Sequence, residues 1–254
     1  MRILFLNPNT SVSLTERMAA AAARYVAPGT ELVPVTAPRG FPYISSRTEA
    51  DVSASIVLEA IAAHESEVDA VLIAAFGDPG LFSARELFDM PVVGVAEAAI
   101  LTACAVGDRF GIVTFSQVMS TWYLDSVVRA RLEPRFTGVR VPSEPLPEGG
   151  IDAIQDTLGD RLVDLVDRAV TEDGADVVIM GGAPLAGFAS TVAGRVAVPT
   201  IDPVVAGVLQ AEMLVRLGLS APLKGAHARP PGKPSIGLPP LLARRIAGPA
   251  DRSA

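Results

Sequence analysis

Few side chains in this 254-residue sequence are suited to acid–base work, and most of them fall in short polar segments between apolar runs. The most polar is Tyr43-Ile44-Ser45-Ser46-Arg47-Thr48-Glu49. Arg47 could hold a carboxylate through two parallel N–H bonds, and Glu49 or Tyr43 could serve as an acid or base. Ser46 and Glu49 also satisfy S-x-x-E, so a helix-capping box explains Glu49 equally simply. Two further carboxylates follow apolar runs: Asp78, in Phe76-Gly77-Asp78-Pro79-Gly80, and Asp202, after Thr200-Ile201. A carboxylate at a helix start is held ionised by free N–H groups, which makes it a weak base. Simple N-capping is the alternative for both.

Other chemistries are poorly served. One cysteine excludes a disulfide framework and a Cys-cluster zinc site. Cys104 falls within an Ala-rich helical stretch and reads as a small core residue. His64 and His227 lack metal-ligand spacing and are not expected to be catalytic. No metal or cofactor is expected. The balance of 21 basic and 28 acidic residues gives a net charge of −7, which argues against nucleic acid as a partner. No apolar run is long enough for a membrane span. The opening Met1–Ser11 segment reads as a strand rather than a signal peptide, so the expected location is cytoplasmic.

The elements that must position these groups alternate. Short Val/Ile/Leu runs at 3–6, 31–36, 70–74, 92–95, 110–114, 138–141, 177–180 and 200–201 read as strands. Amphipathic, often Ala-rich stretches between them read as helices. Continuous apolar runs separated by helices mark parallel strands covered on both faces, hence an α/β fold. The chain also repeats itself. Val68–Ala75 matches Ala175–Gly182 in pattern, and a proline opens the next strand in each half, at Pro91 and Pro199. Ala75 lies 68 residues after Asn7, and Gly182 lies 68 residues after Thr114. Duplication implies two pseudo-symmetric Rossmann-like halves with mostly parallel sheets and a cleft between them. The expected division is 1–97 with 203–254 returning to the first half, and 98–202 for the second. Four strand ends, at 7–11, 75–80, 114–117 and 181–187, would then surround the cleft. Helix starts follow each of them and favour a small ligand with a carboxylate or an enolizable carbonyl.

At these same strand ends the sequence resembles the aspartate/glutamate/hydantoin racemase superfamily, and within it the hydantoin and allantoin racemase branch. The resemblance rests on Asn7-Pro8-Asn9-Thr10-Ser11, Phe76–Leu81, Ala84–Leu87, Pro91–Ala98, Arg109–Thr114, Glu172–Asp176 and Pro199–Asp202. It implies two α/β halves with the site between them and cofactor-free proton transfer beside a carbonyl, by one cysteine from each half. It also places Asn9, Thr114 and Ser116 where the family holds the substrate's polar groups. The family's cysteine positions are occupied here by Ala75 and Gly182, so the two-thiol route is unavailable. The expected substrate-binding set is Asn9, Arg47, Ala75, Phe76, Gly77, Thr114, Ser116, Gly182 and Ala183. The expected catalytic set is Asp78, Glu49 and Asp202. These imply a cofactor-independent enzyme, homo-oligomeric by resemblance, acting on a small carboxylate, cyclic amide or hydantoin-like ring by altered isomerase, hydrolase or lyase chemistry. A non-catalytic small-molecule binding protein on the same fold is the alternative. The Pro-rich segment from Ala221 is expected to wrap the first half or cover a subunit contact, with its last residues disordered.

Overall fold

In a computed structural model, residues 1–222, 224–225 and 228–248 are described. His227 and the final residues of the tail lie outside that set. The first half contains β1 (Arg2–Asn7), α1 (Val12–Ala23), β2 (Glu31–Thr36), α2 (Arg47–His64), β3 (Ala70–Ile73), α3 (Leu81–Leu87) and β4 (Val92–Gly94). After α4 (Val95–Val106), the second half contains β5 (Phe110–Val113), α5 (Ser120–Ala130), β6 (Phe136–Arg140), α6 (Ile154–Thr171), β7 (Val177–Met180), α7 (Phe188–Val192) and β8 (Thr200–Ile201). Two helices close the chain, α8 (Pro203–Arg216) and α9 (Pro240–Ala247).

The strands form two parallel four-stranded sheets in the orders β2-β1-β3-β4 and β6-β5-β7-β8. Adding four to each strand number of the first sheet gives the second, so the sequence repeat is also a repeat of topology. The central strands β3, β5 and β7 are buried along their whole length. Helices cover both sheet faces, which is why those segments carry no polar alternation. Edge strands differ. Strand β2 accommodates Pro34 because an edge position leaves one row of N–H groups unpaired.

Helix α4 is shared between the halves. Ala96, Ala99, Ile100 and Ala103 pack in the core of the second sheet, whereas Val95 and Ala98 pack with the first-half residues and with Val204 and Val208 of α8. Helix α9 was not anticipated from the sequence, because its period is short and prolines surround it. It docks on the first half, with Leu242 buried beside Val57 and Ile61. Arg245 reaches Asp89 at 2.8 Å and lies over the Phe88 ring. Cys104 is partly buried against the second-half core.

Candidate active site

In each sheet the chain leaves the first strand for one neighbour and returns on its other side. That switch opens a crevice at the carboxyl ends of β1 and β3, and a second at those of β5 and β7. The two crevices meet. Asn9 and Ala75 from the first half, and Gly182 and Ala183 from the second, line one small pocket of about 30 Å3. Phe76, Phe115 and Trp122 complete its walls, with the phenols Tyr43 and Tyr123 beside them. None of the described residues lining it carries a charge.

What the pocket offers is hydrogen-bond donors. The Asn-Pro-Asn turn satisfies itself: Asn7 Nδ2 donates to Asn9 Oδ1 at 2.9 Å and to Thr15 Oγ1 at 2.9 Å. Ser11 N–H donates to Asn9 Oδ1 at 2.9 Å. Both uses of Asn9 fall on its oxygen, so its Nδ2 has no protein acceptor among the described residues. Nor does any described acceptor take the amide N–H of Phe76, Gly182 or Ala183. These amides belong to tight turns, with Gly182 at φ +113°. Buried donors without acceptors are costly unless a ligand or water supplies oxygen atoms.

Tyr123, in the first turns of α5, is fully buried. Its hydroxyl donates to Met119 Sδ at 3.2 Å, and its ring meets Phe76 edge-on at 4.5 Å. Burial pushes its phenol above the usual tyrosine range, tempered by the neighbouring Thr114 hydroxyl. Thr114 Oγ1, buried just past β5, has no hydrogen-bond partner.

Trp122 separates this pocket from an outer vestibule of about 470 Å3. The indole rests on the backbone of Gly77, where a Cβ would come within 2.3 Å of it. Glycine is therefore required there by both contact and a φ of +116°.

Several expected site residues lie elsewhere. Asp78 does not line the pocket. It adopts φ +52° and turns its carboxylate onto the start of α4, accepting from Ala96 N–H at 2.9 Å and Glu97 N–H at 2.8 Å. Its capping alternative describes this geometry. The expected lowering of its pKa is overturned: burial outweighs the two amide bonds and raises it to about 7. Asp202 caps α8 through Val204 N–H at 3.0 Å and accepts from Gly187 N–H at 2.5 Å. Burial raises its pKa as well, contrary to expectation. It adjoins a small void behind Gly182 and Ala183 rather than the main pocket.

Glu49 forms the capping box, its carboxylate accepting from Ser45 N–H at 2.6 Å and Ser46 N–H at 3.2 Å. Arg47 does hold a carboxylate with two N–H bonds, at 2.5 and 2.7 Å, but that carboxylate is Asp125 of α5. This pair stands at the vestibule and joins the halves. Gly77 also lines the vestibule. Ser116 is half-buried, precedes a short 3-10 turn without capping it, and does not line the pocket. Thus Asn9, Ala75, Phe76, Gly182 and Ala183 come together as expected, with Thr114 behind Tyr123.

Phe115, Met119, Trp122 and Tyr123 line the pocket as well. The sequence signal for them is position: all four fall within ten residues of the end of β5, beside a strand end where the repeat places the cleft. Among the described residues, no group of three or more His, Cys, Asp or Glu side chains is arranged to hold a metal. No described helix is long and apolar enough to cross a membrane.

Residues 3–211 match the family model described as Asp/Glu/hydantoin racemase. A hydantoin racemase of Paenarthrobacter aurescens is 36% identical over 238 residues, covering 92% of this chain and 99% of that protein. A second, from a Pseudomonas species, is 34% identical over 244 residues, covering 93% and 95%. Among solved structures, allantoin racemase from Klebsiella pneumoniae superposes with a TM-score of 0.85 at 35% identity, covering 93% of this chain and 96% of that one.

Proposed function

The chain belongs to the Asp/Glu/hydantoin racemase family, and on that footing we propose that it is an isomerase-type enzyme acting on a hydantoin-like cyclic amide without thiols. One observation carries this reading. The pocket between Ala75 and Gly182 is free of charge and surrounded by donors that lack protein acceptors. A hydantoin-like ring presents carbonyl oxygens to such donors once the pocket, about 30 Å3 at rest, widens to admit it. When the proton beside a ring carbonyl leaves, negative charge develops on that oxygen. Donors fixed in advance in a sheltered site stabilise that charge without reorganising. Solvent water takes the proton on the Ala75 side, where alanine offers no base. The substrate class is supported by the names of the relatives. Arg47, the cation expected to hold a carboxylate, is engaged with Asp125 at the vestibule.

The test is exchange. The purified protein is incubated in deuterium oxide with allantoin and with chiral hydantoins carrying one substituent on the ring carbon. Proton NMR then follows the ring-carbon signal. Enzyme-dependent loss of that signal is expected, and no loss on any member would overturn the reading. A second reading, a non-catalytic binding protein, is favoured by the lack of a thiol or a charged side chain in the lining. It predicts ligands that raise Tm and are never transformed.

A further inference from the structure

At position 182, where the family resemblance implies a thiol, the pocket holds a glycine with a hydroxyl beside it. A Cβ built on Gly182 would lie 3.2 Å from Tyr123 Oη and 2.8 Å from Phe115 Cε1. A thiol at 182 would extend one bond further, into space that the phenol and the Phe115 ring already fill. The sequence offers no cysteine there. Tyr123 is the proton-bearing side chain nearest to that point. Its proton is lightly held, because its protein acceptor is the thioether sulfur of Met119, 3.2 Å away, and a thioether accepts weakly. The phenol is fixed from the sides, edge-on to Phe76 at 4.5 Å and beside Trp122 at 5.8 Å.

Resting on the function proposed above, we infer that Tyr123 delivers the proton to the substrate's ring carbon from the Gly182 side. The Oη–H bond breaks as the C–H bond forms on the carbanion carbon, and the electron pair of the O–H bond stays on oxygen as phenolate. A water molecule reprotonates that phenolate, and the hydroxide formed is neutralised by the proton released earlier to solvent. Burial disfavours the phenolate, so the resting side chain is the neutral acid that the step needs. Thr114 Oγ1, close by and unpartnered, is available to the phenolate while it lasts.

Tyr123→Phe tests this, together with 3-fluorotyrosine placed at position 123, which keeps the hydroxyl and the shape and makes the phenol a stronger acid. Two quantities are read for each protein. One is the exchange rate of a monosubstituted hydantoin in deuterium oxide. The other is the affinity, from the ligand-induced shift in Tm, for a dimethylated hydantoin whose ring carbon carries no proton. Tyr123→Phe is expected to bind the dimethyl probe within about threefold of the unaltered protein and to lose exchange by roughly 100-fold or more, the usual weight of a positioned acid. The 3-fluorotyrosine protein is expected to bind the dimethyl probe as the unaltered protein does, and its exchange is expected to fall off at a lower pH, because its phenol loses the proton more readily. If the unaltered protein exchanges and Tyr123→Phe exchanges equally fast, the assignment to Tyr123 falls while the proposed function stands. If Tyr123→Phe fails to fold, an unchanged pH profile of exchange in the folded 3-fluorotyrosine protein overturns the assignment. If the unaltered protein binds the probe without exchanging the monosubstituted ring, or does neither, both the enzymatic reading and the Tyr123 assignment fall.

Discussion

Placing a cysteine at each of the two strand ends, at 75 and at 182, should have very different consequences, set by the backbone there. Gly182 stands at φ +113° and ψ +141°, a conformation that L-residues avoid. Holding a non-glycine residue there costs about 1–3 kcal/mol. The new Cβ would also press on Phe115 Cε1 at 2.8 Å, and Phe115 is buried. Overpacking of that kind adds roughly 1–3 kcal/mol. Gly182→Cys is thus expected to destabilise by about 2–6 kcal/mol, a large part of a typical stability of about 5–15 kcal/mol. In a chain of this size, that is a fall in Tm of roughly 5–20 °C. Ala75 already carries a Cβ and lines the pocket, so Ala75→Cys adds one sulfur and should cost less than about 1.5 kcal/mol. Thermal and urea unfolding followed by circular dichroism measure both. A double-mutant cycle separates the two causes at 182. Phe115→Ala should cost about 1–3 kcal/mol less in the Gly182→Cys background than alone, because it removes the contact but not the backbone strain. A Gly182→Cys protein as stable as the unaltered one would refute the reasoning, and with it the view that a thiol cannot simply be put back.

Three further outcomes follow from the geometry. Asp78 has a folded pKa near 7 against an ordinary 3.8, so between those values the folded state binds the extra proton and this group's contribution to stability falls as pH rises. Asp78→Asn should flatten that slope, by up to about 4 kcal/mol across the window; an unchanged pH dependence of unfolding would contradict it. Trp122→Ala should join the vestibule to the inner pocket, relax discrimination against hydantoins with larger substituents, and cost roughly 3–5 kcal/mol. Equal ratios of affinity for benzyl- and methyl-substituted rings before and after would count against the indole as a partition. Glu49→Gln keeps the capping box, because glutamine also serves there, so exchange should stay within about twofold and stability within about 1 kcal/mol. Loss of exchange in a folded protein would instead restore Glu49 as an acid or base.

Much of this protein was legible along the chain. Continuous apolar runs specify parallel strands because both faces are covered, and the repeat of strand, turn and proline fixes where the strand ends fall. The repeat places the strand ends that carry Asn9, Ala75, Phe76, Gly182 and Ala183 around one cleft, and the family resemblance singles those residues out there. Ser46 and Glu49 formed the box their spacing spells, because capping is settled within four residues. The direction of a side chain leaving a turn is not local information. Asp78 turns onto α4, 18 residues further on, because a positive φ and a buried helix start draw it there. Arg47 finds its carboxylate 78 residues away, on the other half of the molecule. Tyr123 stands at the edge of an amphipathic helix in the sequence, and only the packing of α5 beside the end of β7 within the second half carries its hydroxyl to the space beside Gly182. Contacts across the cleft depend on how two separately folded sheets dock, and that docking is set by packing between residues far apart in the chain.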